Sequence, residues 1–449
     1  MTTIETAAHE PHAPTADAAN IRKAVWAATV GTIIEWYDYA LYGAASGLII
    51  NKLFFPQLSP VAGVLAAFAT FAVGFFTRPL GGLIISHFGD KIGRKPALIF
   101  TVSLMGFSTV AIGLLPDYNR IGIAAPLLLM LCRLTQGFGA GAEYAGAVTL
   151  VSEYVPASRR GYYTSYLQSA TIVGILIATF AFLAISTMPE ADMLNWGWRV
   201  PFLFSALLFV VALFIRNRLD ETPEYVAAVE KAEARRRENR VPVGELLRNS
   251  PRESLLGFLA ITGHNANAYI LNAFALSYMT NTLQMPRTES LMAVIGATAV
   301  GIVTTPIIGA ISDRIGYARF YMAGALFMVA FAFPLFALLD TKNAMLATVG
   351  MGLAYGLGFG GMAGAQGAFL ANLFPTRYRF SGIAFSRELN SLLIAGPTPF
   401  LATALVAWSG GTPRLVILYL MICCGLTTAS VWFARKLTVN STHPAKATA

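Results

Sequence analysis

Charge is scarce in this chain. Only 12% of its 449 residues are Asp, Glu, Lys or Arg, about half the share of an average soluble domain. Cysteine is scarcer still. Cys132, Cys423 and Cys424 all lie in apolar stretches with no metal-ligand spacing, so they read as small core or lipid-facing residues and no metal site is expected. No Gly-Lys-Ser/Thr phosphate loop and no HExxH pair is present, which argues against ATP-driven work and zinc hydrolysis. With no soluble domain to hold a catalytic site, neither an enzyme nor a cofactor is expected. The first twenty residues lack the apolar core of a cleavable signal and read as a disordered tail.

Apolar sequence is abundant: 56% of residues are hydrophobic. Twelve stretches are long enough to cross a bilayer, at 24–50, 61–88, 96–115, 122–152, 162–187, 198–216, 252–282, 288–311, 318–339, 343–371, 381–408 and 413–435. The expected fold is an all-α membrane protein, twelve transmembrane helices in two six-helix pseudo-symmetric halves. The net charge of +9 does not point to nucleic acid, because the loops sort it by side. One set of loops and tails carries 23 Lys and Arg and the other carries 6, which places both termini and the long central loop in the cytoplasm. The lipid bilayer is the expected surrounding, and a monomer the expected assembly.

The expected organisation is a tail at 1–20, a first half at 21–216, a central loop at 217–251, a second half at 252–436 and a tail at 437–449. Two loop patterns recur in both halves. Gly89-Asp90-Lys91-Ile92-Gly93-Arg94 follows span two, and Asp313-Arg314-Ile315-Gly316 follows span eight, with the two Asp residues 223 positions apart. Val155-Pro156 with Arg159 and Arg160 follows span four, and Phe374-Pro375 with Arg377 and Arg379 follows span ten, 219 positions later. Duplicated halves with a site between them at mid-membrane is transporter architecture. Gly89, Asp90, Lys91, Gly93, Arg94, Asp313, Arg314 and Gly316 are the candidate gating loops. Glycine permits the tight turn, and Asp can face the positive N-terminus of a neighbouring helix in one conformation and leave it in another. Positive-inside anchoring alone is the plainer reading.

Glu35 and Asp38 stand in span one within Glu35-Trp36-Tyr37-Asp38. Glu35 lies roughly eleven residues into the span, near the midplane at ~1.5 Å per residue. An ionised carboxylate there is costly unless protonated, paired or wet, so both acids are candidate proton carriers. A structural polar pair is the alternative. Arg133 in span four lies at similar depth and is a candidate partner for Glu35 or Asp38, or for an anionic substrate, since its planar fork matches a carboxylate. A static buried ion pair would explain it equally. Glu143 lies ~15 Å nearer the cytoplasm and completes the proton-coupling set. Gly137 and Gly141 form a small face for close helix approach.

The candidate substrate-binding residues are Tyr42, Arg133, Gln136, Gln168, Asn272, Arg387 and Asn390, drawn from spans one, four, five, seven and eleven. Arg387 and Glu388 are adjacent and point about 100° apart, so they do not pair with each other. Arg78, followed by Pro79 and Gly81-Gly82, reads as a snorkelling or structural residue at least as well as a substrate contact. His264 heads a polar stretch with Asn265, Asn267 and Asn272 and reads as a wet residue or a proton relay. Gly356 to Gly361 and Pro397-Thr398-Pro399 suggest bending helices.

The chain resembles the major facilitator superfamily, and within it the metabolite:proton symporters. The likeness covers nearly everything after residue 20. It is carried by Glu35-Trp36-Tyr37-Asp38 with Leu41-Tyr42-Gly43, Phe54-Phe55-Pro56, Arg78-Pro79-Leu80-Gly81-Gly82, His87-Phe88-Gly89-Asp90-Lys91, Gln136-Gly137 with Glu143, Trp196-Gly197-Trp198-Arg199-Val200-Pro201-Phe202, and Glu221-Thr222-Pro223-Glu224. The resemblance implies proton-coupled uptake of a small organic acid, shikimate-like or another mono- or dicarboxylate, across a bacterial inner membrane. It also implies that Asp90 and Arg94 belong to a gate and that Arg133 serves coupling. The gating motif departs from the family at Ser86, and the second loop loses a basic residue at Tyr317-Ala318. The rival expectations are a proline or betaine symporter of the same family, an exporter, and a transporter-like sensor. The short tail after Arg435, without heptads, speaks against the osmolyte carrier.

Overall fold

The computed structural model describes residues 18–82, 84–85, 94–141, 151, 155, 157–219, 243–375 and 377–435. Twelve long helices follow one another among them. The first half holds α1 (Ala18–Ala45), α2 (Pro60–Gly82), α3 (Arg94–Leu114), α4 (Ala124–Ala140), α5 (Arg160–Ser186) and α6 (Arg199–Leu219). The second holds α7 (Pro251–Tyr269), α8 (Arg287–Ile315), α9 (Tyr317–Asp340), α10 (Ala344–Leu373), α11 (Arg379–Trp408) and α12 (Arg414–Ala434). The twelve apolar stretches of the sequence correspond to these helices one for one.

Helix ends and apolar ends differ where polar residues continue a helix. α6 runs on through Asn217 and Arg218 to Leu219, past the expected boundary at 216. α1 begins at Ala18, inside the stretch expected as a tail. The charged run of the central loop, Gly89, Asp90, Lys91, Gly93 and Glu143 lie outside the described residues, as does the side chain of Arg94.

Wide π turns interrupt four helices. They lie at Ser46–Ile50 at the end of α1, at Ile270–Phe274 and Tyr278–Thr282 after α7, at Ala354–Phe359 within α10 and at Ser391–Ala395 within α11, and a further one at Met193–Gly197 precedes α6. Such turns free backbone groups and often mark functional sites. Among the described residues, seven helices are by themselves long and apolar enough to span a membrane. Glu35, Asp38, Arg133 and His264 lie on the others, whereas Arg78, Arg387 and Glu388 lie on two of the seven, α2 and α11.

Within the first half α1 packs on α5 and α6, α2 on α4, and α3 on α4 and α6. Within the second half α7 packs on α11 and α12, α8 and α9 on α10, and α9 on α12. The halves meet through α5 with α8 and α10, α2 with α11, and α1 with the turn at Ile270–Phe274 that follows α7. At the end that carries the central loop, Asp313 receives two backbone N–H groups from the start of α5, Gly161 at 2.7 Å and Tyr162 at 2.9 Å. A carboxylate there is stabilised by the partial positive charge of the helix N-terminus. Gly161 makes this fit possible, since a Cβ there would stand 2.7 Å from the Gly309 carbonyl oxygen. Arg160 adds a bond to Asn372 at 3.3 Å. Of the rest of this loop, Arg314 is exposed, and Gly316 closes α8 with a positive φ of 112°.

The halves also meet at the opposite end. Asn281 donates to the Gly47 carbonyl at 2.7 Å, and a Cβ on Gly47 would lie 2.9 Å from that of Ser277. Glu190 accepts from Lys52 at 2.6 Å and faces Arg287 at 3.7 Å. Among the described residues the halves therefore touch at both ends of the bundle.

Candidate substrate and proton site

The junction of the two halves is built around Arg78. Its side chain is 3% exposed, with NH2 3.8 Å from Oε1 of Glu35 and Nε 3.3 Å from Oε2 of Glu388. One cation of the first half thus meets a carboxylate from each half. Its guanidinium lies over the rings of Tyr39 at 5.2 Å and Phe75 at 5.6 Å. Burial of a charge is tolerated when it is paired and hydrogen-bonded, and all these contacts contribute. Tyr269 of α7 inserts between the halves, 5.6 Å from Phe75 and 5.9 Å from Phe71 by ring centroids.

Arg133 does not pair with Glu35 or Asp38. Its guanidinium donates to Oε1 of Gln136 and to the Phe71 carbonyl at 3.1 Å, and it lies 4.3 Å from the Tyr42 ring centroid. The small residues of α4 explain this. Cβ atoms on Gly137 and Gly141 would overlap the carbonyl oxygens of Gly74 and Arg78 in α2, so the two backbones touch. That contact presses Arg133 against Phe71 and Gly74 of α2, away from the acids of α1. The small face read from the sequence is present, and it is what diverts the arginine.

Asp38 is 3% exposed and accepts from Ser205 of α6 at 2.7 Å. Thr109 of α3 also lies within hydrogen-bonding reach of it, and Gln136 donates to Thr109 at 2.8 Å. Arg133, Gln136, Thr109 and Asp38 therefore form one polar chain, with the arginine at one end and the acid at the other. No salt bridge reaches Asp38 among the described residues.

The remaining candidates divide. Tyr42 is fully buried beneath Arg133, with Thr70 of α2 near its hydroxyl. Oδ1 of Asn272, in the π turn after α7, has no hydrogen-bond partner among the described residues. Gln168 of α5 reaches into the second half, donating to Gln366 at 2.8 Å and lying 3.5 Å from Nε2 of His264. Gln136 is engaged by Arg133 and Thr109. Asn390 is a helix tie, with both ends of its amide spent on Phe258, Thr262 and Asn265 of α7 at 2.9, 2.9 and 2.7 Å. Arg387 is buried on α11, within electrostatic range of His264 and Tyr269. Sequence reasoning undervalued Arg78 and gave Glu388 no partner. The one signal for Arg78 was its rarity: Arg78, Arg133 and Arg387 are the only Lys or Arg residues that stand more than two positions inside the ends of the spans. Tyr39 and Tyr269 had no signal, since their importance comes from the cations and acids around them.

A bundle of twelve helices in two halves with a buried ion cluster at their junction is the architecture of a membrane carrier. The chain belongs to the major facilitator superfamily, whose model matches residues 28–387. It is 36% identical over 415 residues to the shikimate transporter of Escherichia coli K12, covering 92% of this chain and 94% of that one. It is 35% identical over 412 residues to the proline/betaine transporter of the same organism, covering 90% and 82%. The structure of the proton:xylose symporter XylE shares the fold with a TM-score of 0.72 at 17% identity, over 94% of this chain and 96% of that one. The protein is a multi-pass membrane transporter and not an enzyme.

Proposed function

We propose that this chain is a proton-coupled symporter that brings a small organic acid into a bacterial cell across the inner membrane by alternating access. The observation that carries this reading is Arg78, buried between Glu35 of the first half and Glu388 of the second. A substrate carboxylate can take the place of Glu388 on the guanidinium, which loosens the tie between the halves. Arg133 and Arg387 supply further positive charge to the anion, with Tyr42, Gln168 and Asn272 as polar contacts. Asp38 and Glu35 take up the proton that balances the charge before the halves rock, with Glu143 on the path toward the cytoplasm. Binding must favour the moving state, since a ligand with equal affinity for two states shifts nothing.

In this reading the halves are 21–216 and 252–436, the loop at 217–251 and both tails face the cytoplasm, and the carrier is a monomer. Asp313, seated on the N-terminus of α5, is the cytoplasmic latch. Asp90 and Arg94 are its counterpart in the first half.

An osmolyte symporter is the second reading, favoured by the proline/betaine relative and by the ring cluster of Trp36, Tyr39, Tyr42, Phe71, Phe75 and Tyr269. Aromatic faces attract quaternary ammonium groups. Here the rings of Tyr39, Tyr42, Phe71 and Phe75 already face Arg78 or Arg133, which favours an anion. The test is uptake into proteoliposomes under an inward proton gradient. The panel is radiolabelled shikimate, 2-oxoglutarate, citrate, proline and betaine, with and without a protonophore. Protonophore-sensitive accumulation of an acid supports symport of an organic anion. Accumulation of betaine or proline alone replaces it with the osmolyte reading, and efflux without uptake identifies an exporter.

A further inference from the structure

α11 is made of two segments that are held by different neighbours. The loop-side segment, Arg379–Asn390, packs on α7 and α10 of its own half. Asn390 spends its amide on Phe258, Thr262 and Asn265 of α7. The Ser386 hydroxyl faces the Ser254 carbonyl at 3.5 Å, and a Cβ on Gly257 would stand 2.5 Å from it, so α7 and this segment lie close. The far segment, Thr398–Trp408, packs across the junction on α2. Phe400 lies against Val64 and Phe68 of α2 and Ala273 of the turn after α7. A Cβ on Gly396 would lie 2.8 Å from the Phe75 ring, the ring that stands over Arg78. The far segment therefore starts beside the charge cluster and runs to the end of the bundle away from the central loop.

Between the two segments the backbone ladder is interrupted. Ser391–Ala395 form a wide turn, closed by the Gly396 N–H on the Ser391 carbonyl at 2.9 Å. Pro397 and Pro399 have no N–H to give to the carbonyls of Leu393 and Ala395 one turn earlier. The Thr398 hydroxyl donates to the Ile394 carbonyl at 2.6 Å. Helices bend at prolines and at wide turns, and here the two coincide. α8 and α9 also carry an internal proline, Pro306 and Pro334, without a wide turn. Thr398 is held at the base of the far segment by Tyr419 of α12, at 2.7 Å between hydroxyls, which supplies a pivot.

We infer that α11 bends between Ser391 and Pro399, so that its far segment swings off α2 while its loop-side segment stays on α7. Glu388 belongs to the loop-side segment, so the far end opens with the Arg78–Glu388 pair still in place. Rocking of whole halves would part that pair before any substrate had arrived and leave buried charges unpaired, which is costly. The far segment yields more readily, because its hold on α2 consists of ring and aliphatic contacts. The inference concerns how the far end opens and does not depend on which substrate is carried.

The test is cysteine labelling of the full chain, with Cys132, Cys423 and Cys424 changed to alanine, in vesicles exposing the far end and without substrate. Val64→Cys reports a site beneath Phe400. Ser277→Cys reports the contact of α7's extension with Gly47 of α1 at the same end. Pro397→Ala combined with Pro399→Ala restores both backbone donors and straightens α11. It should slow labelling at position 64 by a membrane-impermeant thiol reagent on the order of tenfold, and at position 277 by about twofold or less. Equal slowing at both positions, or slowing at neither, overturns the inference. A second measurement leaves α11's hinge unaltered. Met345 and Trp408 are exposed at the far end of the same half, and spin labels there read the bend directly. A bend of about 20° at the hinge moves the end of a ~18 Å segment by roughly 6 Å, so the distance distribution should spread by about that amount. One narrow distance means that α11 moves as part of a rigid half and overturns the inference, and this measurement decides alone if the alanine variant does not fold.

Discussion

Nε of Arg78 lies 3.3 Å from Oε2 of Glu388, and the two residues belong to opposite halves of the bundle. They are 310 positions apart in the chain, and the pair is enclosed by aromatic rings. An ion pair removed from water is a poor source of net stability, because desolvation offsets most of the attraction. A buried pair can still serve as a switch, since each partner can exchange the other for a substrate or a proton.

Breaking this cluster from the cation side should therefore be severe. Arg78→Met leaves Glu35 and Glu388 facing each other's region without their shared cation. We expect a loss of about 3–5 kcal/mol of stability, read as a lower melting temperature in detergent. Adding Glu35→Gln and Glu388→Gln to that variant should recover most of the stability and none of the transport. Recovery of transport would assign the cluster a packing role alone.

Asp38 is held by Ser205 and lies at the end of the chain that leads through Thr109 and Gln136 to Arg133. Asp38→Asn preserves the shape and the hydrogen bond from Ser205 but carries no titratable proton. Substrate exchange across the membrane should persist in this variant and proton-driven accumulation should vanish. Accumulation at the wild-type level would remove Asp38 from coupling.

Much of the fold was legible because its signals are local. Apolar run length gave twelve helices, and the Asp-basic-x-Gly pattern pointed to an acid on a helix N-terminus, the position Asp313 occupies on α5. The small face at Gly137 and Gly141 was legible as well. Its partner was not, and neither was its consequence, that contact with α2 turns Arg133 away from the acids of α1. Counting residues along a span gives depth in the membrane but not the direction a side chain faces. That is why Arg133 was matched to Glu35 by depth while Arg78 holds the contact, and why Asn390 read as a binding residue although it ties α11 to α7.

The latch at the loop-side end can be weighed in the same terms. Asp313→Asn removes the charge that faces two N–H groups of α5. Hydrogen bonds to a charged group contribute about 1.5–3 kcal/mol, so the population open at this end should rise on the order of tenfold. A cysteine at Ser165, buried against Gly309 across the same interface, reports the opening. Its labelling rate by a membrane-impermeant thiol reagent, in vesicles exposing this end, should rise with the substitution. An unchanged rate would show that Asp313 does not hold the end closed.

Gly137→Ala tests the contact between α2 and α4. The added methyl would overlap the Gly74 carbonyl oxygen, so the backbones must separate. Overpacking of this kind costs about 1–3 kcal/mol, and here it also shifts Arg78 relative to Glu35. Transport should fall further than stability does, as seen by comparing uptake per folded molecule with the melting temperature. Proportional losses would mean that the helix contact serves folding only.

The most direct measurement is proton movement on substrate addition. Proteoliposomes with a trapped fluorescent pH indicator, and with no imposed gradient, receive an outside pulse of the transported acid. The account predicts acidification of the lumen with the wild-type chain and none with Arg78→Met or Asp38→Asn. Wild-type acidification that persists in Arg78→Met, or substrate entry with no proton movement, would contradict it.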